Sequence, residues 1–297
     1  MPMQKPKVIA IVGPTSSGKS TLGIYLAQKL GGEVISADSR QVYRGLNIGT
    51  GKVTKREMAG VPHHVLDVAS TARIYTASDF VHDATVSVRD IVQKEKIPVI
   101  VGGTGFYVDT LLGRMSIPEV PPNPKLRVQL EKKTPRQLFL MLKKKDPRRA
   151  KTIDPKNKRR LVRALEIAHA LGKSPEPITS TPYDTLWLGI KPSDAVLQKK
   201  IHERLLARLK QGMVAEAKQL HKRGLSYKRM DSLGLEYRFL ARFLRGDITP
   251  EVFVVELERA IVQYAKRQFV WFKRNKDIHW VASKAEALRL AKTFLSR

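Results

Sequence analysis

The 297-residue chain contains no cysteine, which excludes disulfide bonds, thiolate-bound zinc and iron–sulfur clusters. It also lacks any apolar run of about 18 residues and any N-terminal apolar segment of the secretory type. The sequence therefore predicts neither a transmembrane helix nor a secretion signal. These absences suit a reducing compartment, and we expect a cytoplasmic protein that does not associate with membranes.

Acidic side chains are scarce, since 27 Asp and Glu stand against 55 Lys and Arg and give a formal net charge of +28. The excess is uneven. Residues 1–112 carry a net charge of +4, residues 113–184 carry +11 and residues 185–297 carry +13. A general bias towards basic residues would have raised the net charge of all three parts alike. The distribution instead predicts a surface for a polyanion outside the first 112 residues.

One glycine-rich loop fits the pattern G-x-x-x-x-G-K-[ST], and it consists of Gly13, Pro14, Thr15, Ser16, Ser17, Gly18, Lys19 and Ser20. In such a loop, called a P-loop, backbone N–H groups surround a diphosphate, the lysine adds a charge and the final hydroxyl reaches a Mg²⁺ ion. An apolar, β-branched run at 8–12 precedes it, and a helical segment at 20–30 follows it. The sequence therefore predicts a strand, a diphosphate-binding loop and a helix, with Ser20 as a ligand of Mg²⁺.

Further short strands are predicted at 33–36, 63–67, 98–101 and 187–190. Helices are predicted at 76–96, 106–112, 125–145, 146–171, 193–213 and 250–274, the last being the final long helix. This alternation indicates an α/β fold, a parallel sheet flanked by helices of the P-loop NTPase type. Proline-rich connectors at 115–124 and 172–182 enclose basic helices. We therefore predict a catalytic core of 1–113 and 185–297 and an inserted small helical domain at 114–184.

Two residue groups are expected beside the P-loop, because the carboxyl ends of parallel strands share one edge of the sheet. Asp38 follows the second strand, and it is either a turn residue or a carboxylate placed near the diphosphate. Gly102, Gly103, Thr104 and Gly105 follow the fourth strand, where glycines permit either a bound ligand or close packing.

Several cations stand out on the predicted helices. Arg159, Arg160 and Arg163 lie near a helix start, where cations oppose the helix dipole, so their clustering favours an anionic partner. Arg204 is either an exposed side chain or an anion clamp. Cations alternate with aromatic residues at 264–274, a pattern that suits RNA binding and helix packing about equally.

These motifs together resemble the bacterial tRNA dimethylallyltransferases, also called tRNA isopentenyltransferases. The P-loop is shared with many ATP-binding proteins. More specific are the blocks D-S-x-Q-V-Y at 38–43, V-G-G-T-G at 101–105 and K-R-Q-x-x-W at 266–271, in this order. The resemblance covers nearly the whole chain.

The resemblance implies transfer of a dimethylallyl group from dimethylallyl diphosphate to the exocyclic amine of the adenosine just 3′ of the anticodon, with Mg²⁺ and without ATP turnover. It assigns Asp38 to accepting the amine proton, Arg204 to the diphosphate and Thr104 to a place beside the extruded base. It also implies a monomer that binds the anticodon stem-loop. The positions that match the family's RNA contacts are Asp38, Ser39, Arg40, Gln41, Thr104, Arg127, Arg159, Arg160, Arg163, Lys266, Arg267 and Gln268.

The chain departs from the family pattern at two places. Gly234-Leu235-Glu236-Tyr237 stands where G-Y-[KR]-E is usual, and Ile261-Val262 replaces Thr-Arg. Both are expected on the RNA side and bear on which tRNAs are accepted. The alternatives are a P-loop small-molecule kinase, an isopentenyltransferase for free adenine nucleotides and an RNA-binding P-loop protein without transferase activity. The small-molecule kinase and the free-nucleotide enzyme would have no evident use for the basic charge outside the first 112 residues.

Overall fold

The computed structural model describes residues 5–176 and 181–297, and the chain forms two compact units. The first unit comprises Met1–Arg114 and Thr181–Arg297, and the second is Met115–Ser180. These bounds differ from the predicted insertion at 114–184. Arg114 bonds Asp277 at 2.9 Å, and a sheet strand already begins at Asp184, so both ends of the predicted segment belong to the first unit. Residues 177–180 of the predicted connector lie outside the described residues.

Six parallel strands form the sheet of the first unit, in the order β3-β2-β4-β1-β5-β6. The strands are β1 (Lys7–Val12), β2 (Glu33–Ser36), β3 (His63–His64), β4 (Pro98–Gly102), β5 (Asp184–Gly189) and β6 (His279–Trp280). The predicted α/β fold is confirmed. The third strand is shorter than predicted because Val65 and Asp67 have positive φ angles, 60° and 56°, which end the extended backbone. The sequence did not predict β6.

The helices are α1 (Lys19–Leu30), α2 (Lys55–Met58), α3 (Ala77–Gln93), α4 (Gly105–Leu111), α5 (Pro124–Glu131), α6 (Pro135–Lys145), α7 (Pro147–Thr152), α8 (Lys158–Leu171), α9 (Asp194–Lys210), α10 (Met213–Lys222), α11 (Tyr227–Ser232), α12 (Leu235–Leu244), α13 (Pro250–Phe272) and α14 (Lys284–Leu295). No helix among the described residues is long and apolar enough to cross a membrane.

Three helix predictions were wrong in extent. The predicted helix 125–145 is divided because Thr134 forms a capping box with Gln137 and begins α6. The segment 146–171 likewise contains two helices, α7 and α8. The helix capped by Ser193 ends at Lys210, since Gly212 has a left-handed φ of 97° and starts α10. The chain also continues past α13 into α14, which the sequence did not predict.

Apolar side chains fill both faces of the sheet, as a parallel sheet covered by helices requires. In β1, Val8, Ala10 and Val12 join one core, while Ile9 and Ile11 join the other. Val92 of α3 and Val196 of α9 are exposed. The second unit has its own core, built around Leu138, Leu142, Leu161 and Leu165.

Candidate active site

The P-loop joins β1 to α1 in a backbone conformation that depends on its glycines. Gly13 has a φ of 148°, and a Cβ there would lie 2.6 Å from the carbonyl oxygen of Ile190. Gly18 has a φ of 98° and stands at the N-terminus of α1. The free N–H groups of a helix N-terminus attract anions. The loop therefore has the geometry that a diphosphate site needs.

Lys19 is the cation of this loop. Its Nζ donates a hydrogen bond to the carbonyl oxygen of Pro14 at 2.6 Å. Burial lowers the pKa of Lys19 to about 7; the charge of Asp38 works against this shift and that of Arg204 adds to it. The amine is therefore half protonated near neutrality, and a bound anion would stabilise its charged form.

The P-loop opens into a cavity of about 550 Å³ in the first unit. Of the candidate site residues selected from the sequence, those that line it are Thr15, Ser16, Gly18, Lys19, Ser20, Asp38, Arg40, Gln41, Gly102, Gly103, Arg204, Arg267 and Gln268. The fold brings these residues together from five separate segments of the chain. The sequence did not identify Glu57, His63, Lys200 and Arg238, which also line the cavity, as does Tyr264 of the segment 264–274. Lys200 lies one helical turn before Arg204, and this spacing could have indicated that Lys200 shares the cavity-facing side of α9.

Asp38 lies where the chain leaves β2 for the cavity wall. Its Oδ1 accepts hydrogen bonds from the backbone N–H groups of Arg40, at 2.8 Å, and Gln41, at 3.4 Å. Oδ2 accepts none from the described part of the chain. Asp38 is thus both a turn residue and a cavity carboxylate, with one oxygen fixed by the turn and the other available.

Thr104 connects the loop after β4 to the loop that carries Asp38. Its Oγ1 accepts a hydrogen bond from the Ser39 N–H at 3.1 Å, and its own N–H donates to the Ala37 carbonyl oxygen at 3.3 Å. A Cβ at Gly102 would collide with the Ala37 backbone, and one at Gly105 with the Trp271 indole. Close packing is therefore what these two glycines provide.

Gln268 joins α13 to the P-loop. Its buried side chain accepts a hydrogen bond from the Thr15 N–H and donates one to the Gly103 carbonyl oxygen, both at 2.8 Å. Trp271, one turn later, donates to Asp109 at 2.7 Å. The three residues of the K-R-Q block thus have different surroundings: Gln268 is held internally, Arg267 lines the cavity and Lys266 is exposed.

Arg204 reaches the cavity from α9. Its Nη2 donates to the carbonyl oxygen of Gly51 at 2.9 Å. Burial and the neighbouring Arg208 lower the pKa of Arg204, although a guanidinium keeps its charge near neutrality. Arg204 is therefore a partly buried cation at the cavity wall rather than a fully exposed side chain.

The departures from the family pattern lie at the same wall. Glu236 lines the cavity and bonds Arg208 at 3.1 Å, while Tyr237 is buried. Ile261 lines the cavity as well. Tyr264, one turn later on α13, has its pKa raised to about 12 by burial and by the Asp38 charge, so its hydroxyl stays a hydrogen-bond donor.

In the second unit, two of the candidate arginines form internal contacts. Arg127 donates twice to the buried Glu166 carboxylate, at 2.7 and 2.8 Å, and Arg163 donates to the Val120 carbonyl oxygen at 2.7 Å. Burial opposes ionisation of Glu166, but the hydrogen bond from Arg127 holds its pKa below the usual range. Arg159 and Arg160 are exposed. This second pair is therefore the more exposed one, whereas Arg127 and Arg163 are partly buried.

The cavity has one arrangement suited to Mg²⁺. The exposed Ser20 hydroxyl and the Asp38 carboxylate both line it, while the described residues contain no cluster of three or more acidic, histidine or cysteine side chains. Mg²⁺ commonly takes few protein oxygens and fills its octahedron with phosphate oxygens and water. The Ser20 hydroxyl therefore fits a Mg²⁺ ion that arrives with a diphosphate.

Comparison with known proteins gives a consistent picture. The model of the family described as IPP transferase matches residues 41–275. tRNA dimethylallyltransferase 1 of Geotalea uraniireducens is 40% identical over 292 residues, covering 97% of this chain and 96% of the relative. tRNA dimethylallyltransferase 2 of Treponema denticola is 42% identical over 289 residues, covering 93% and 96%.

Two solved structures are similar over most of their length. The crystal structure of a full-length tRNA isopentenylpyrophosphate transferase from Bacillus halodurans has a TM-score of 0.74 and 34% identity, and the match covers 98% of this chain and 96% of that one. A eukaryotic dimethylallyltransferase acting on tRNA has a TM-score of 0.85 and 29% identity, with 98% and 80% covered.

Proposed function

The chain belongs to the IPP transferase family, and from this premise we propose that it transfers the dimethylallyl group of dimethylallyl diphosphate to the N6 amine of the adenosine immediately 3′ of the anticodon in tRNA. The observation that carries the proposal is that the P-loop and the Asp38 carboxylate line the same cavity. One side of this cavity suits a diphosphate and the other a proton acceptor.

The diphosphate side binds the leaving group. As the bond between the allylic carbon and the diphosphate oxygen breaks, negative charge grows on that oxygen, and fixed N–H groups and cations lower the barrier by meeting it. Here these groups are the loop N–H groups, Lys19 and Arg204. A Mg²⁺ ion held by the Ser20 hydroxyl and the diphosphate would supply further charge neutralisation.

Asp38 serves the acceptor side. The N6 nitrogen forms its bond to the allylic carbon while the diphosphate leaves, and the amine proton passes to Oδ2 of Asp38. An aromatic amine is a weak nucleophile, so a placed base contributes about 10²–10⁴-fold. The bond from Ser39 N–H to Thr104 and the turn at Arg40 hold the carboxylate in place.

Basic residues bind the RNA on this proposal. Extruding the target base from the loop costs a few kcal/mol, which phosphate contacts elsewhere must offset. The exposed Arg159 and Arg160 of the second unit, together with Arg267 and Lys266 of the first, are the cations proposed for the anticodon stem-loop. The protein acts as a monomer in the cytoplasm, where tRNA is found.

The test is incorporation of labelled dimethylallyl diphosphate into an anticodon stem-loop RNA with adenosine at the 3′-adjacent position. We expect label in the RNA from the wild type, and a loss of orders of magnitude in Asp38→Ala with RNA affinity nearly unchanged. Asp90→Ala, an exposed aspartate of α3, is the matched control. AMP and ATP run in parallel as acceptors. Label in AMP alone would favour a free-nucleotide enzyme, and ATP turnover without labelled RNA would favour a kinase.

A further inference from the structure

The turn at residues 47–51 forms part of the cavity wall and is held by a single carboxylate. Glu216, on α10, accepts hydrogen bonds from three consecutive backbone N–H groups: Asn47 at 3.0 Å, Ile48 at 2.8 Å and Gly49 at 2.9 Å. Hydrogen bonds to an ionised acceptor are stronger than those between neutral groups. The turn is therefore fixed to α10 through Glu216.

The same carboxylate has a fourth donor. The Tyr237 hydroxyl donates to Oε1 of Glu216 at 2.6 Å. Burial and the neighbouring Glu216 raise the pKa of Tyr237, so the hydroxyl keeps its proton and remains a donor. Both oxygens of Glu216 are thus engaged, and the side chain has little freedom to turn away.

The far side of the turn holds the arginines of α9. The Gly51 carbonyl oxygen accepts from Arg204 at 2.9 Å, and the Gly49 carbonyl oxygen accepts from Arg208 at 3.1 Å. A Cβ at Gly51 would collide with the Arg204 guanidinium, and one at Gly49 would lie 2.8 Å from the Tyr237 ring. The backbone itself therefore contacts these side chains directly.

Arg204 needs such a support. Its side chain is long, and holding a long cationic side chain in one rotamer costs conformational entropy. Arg208, which is also cationic, lies close enough to lower the pKa of Arg204, so the two guanidinium groups repel each other. The carbonyl oxygens of Gly49 and Gly51 set the two groups at fixed places despite that repulsion.

We propose that Glu216, which takes no part in the transfer chemistry, is a positioning residue: it holds the turn 47–51 so that Gly51 keeps the Arg204 guanidinium at the diphosphate end of the cavity. The inference rests on the proposed function, because it takes Arg204 as the residue that contacts the diphosphate. Its effect must therefore appear in diphosphate affinity and must pass through Arg204.

The experiment compares Glu216→Gln with Glu203→Gln, a change of an exposed glutamate on α9 whose contact is a 4.0 Å pair with Lys199. Inorganic pyrophosphate with Mg²⁺ is titrated calorimetrically, and KM is measured for dimethylallyl diphosphate and for the stem-loop RNA. We expect Glu216→Gln to weaken pyrophosphate binding about tenfold and to raise KM for dimethylallyl diphosphate similarly. KM for the RNA stays unchanged, and the control changes none of the three.

A double-mutant cycle with Arg204→Met tests the route. Once Arg204 is absent, Glu216→Gln should change pyrophosphate affinity less than about twofold, because the affected contact no longer exists. A full tenfold loss in the Arg204→Met background would show that Glu216 acts independently and would overturn the inference. So would wild-type pyrophosphate affinity in Glu216→Gln.

Two further measurements keep the result interpretable. Tyr237→Phe removes one donor while leaving the three N–H bonds, and we expect it to weaken pyrophosphate binding about threefold, which would support the inference even if Glu216→Gln fails to fold. Unchanged binding in Tyr237→Phe would count against it. Wild-type protein that binds pyrophosphate but transfers no label to RNA would refute the proposed function, while the pyrophosphate cycle would still decide the role of Glu216.

Discussion

Replacing Lys19 with arginine changes one property of the P-loop in a measurable way. The wild-type amine has a pKa of about 7 because it is buried, whereas a guanidinium stays charged at every accessible pH. A diphosphate bound against Lys19 returns the pKa of the amine toward the ordinary lysine value of 10.5. Binding to the wild type must therefore take up a proton, and binding to Lys19→Arg need not.

The size of this uptake follows from the two pKa values. Near pH 8 about one tenth of the free amines are protonated and nearly all of the bound ones are, so about 0.9 proton is taken up per site. Near pH 6 the uptake falls to about 0.1 proton. The same linkage lowers wild-type affinity about 50-fold between pH 7 and pH 9, because the free enzyme loses the proton that the complex keeps.

Calorimetric titration with inorganic pyrophosphate in two buffers of different ionisation enthalpy measures the uptake. Ionisation of pyrophosphate itself is common to both proteins and cancels in their difference. Lys29→Arg, a change at an exposed position of α1, should behave as the wild type. Equal proton uptake by wild type and Lys19→Arg near pH 8 would refute the assignment of a neutral, buried Lys19 that is charged by its ligand.

Three other consequences concern stability and the P-loop. Gln268→Leu leaves the Thr15 N–H and the Gly103 carbonyl oxygen without a partner, so we expect about 1–3 kcal/mol less unfolding free energy in urea, together with weaker pyrophosphate binding; an unchanged urea midpoint would contradict this. Arg127→Met leaves the buried Glu166 without its bidentate partner and should lower the unfolding free energy by about 3 kcal/mol. The double variant Arg127→Met/Glu166→Leu should recover most of this loss, and a double variant no more stable than the single one would contradict the prediction. Although burial opposes the ionisation of Glu33, hydrogen bonds from Lys96 and His64 hold its pKa below 4.5, so the ionised carboxylate stabilises the fold above pH 4.5 and this stabilisation is lost as the pH falls through the lower folded pKa. We therefore expect the urea midpoint of Glu33→Gln to fall less steeply with acid than that of the wild type. Parallel curves for the two proteins would exclude this role.

Most of the fold could be predicted from local sequence patterns. The apolar run before Gly13, the P-loop spacing and the caps at Thr76, Ser193 and Thr249 each act within a few residues, and the start of each corresponding strand or helix was predicted correctly. Where a second signal lay inside a longer pattern, the prediction was wrong. Thr134-Pro135 is such a case, because the helical periodicity continues from α5 into α6 although Thr134 caps the start of a new helix.

The cavity was predictable only in part, since its residues meet through contacts between distant segments. The position of Asp38 followed from the rule for parallel strands, and the resemblance supplied Arg204. No sequence pattern could place Glu216, Tyr237 and the turn 47–51 together, because nearly 170 residues separate Asn47 from Glu216. The role of Gln268 was equally hidden, because a glutamine that follows two cations gives no sign of pointing inward.

The internal attachment of Gln268 has a consequence for how the chain can change in evolution. Neighbouring positions on α13 are under different constraints. Lys266 is exposed to solvent, Arg267 contacts whatever fills the cavity, and Gln268 is bonded to the backbone of two other motifs. The first can drift among cations and the second can follow a changing substrate. Substitution of Gln268 removes its hydrogen bonds to Thr15 and Gly103, so we expect this position to vary together with the P-loop and the loop after β4, although the three segments lie far apart in the chain.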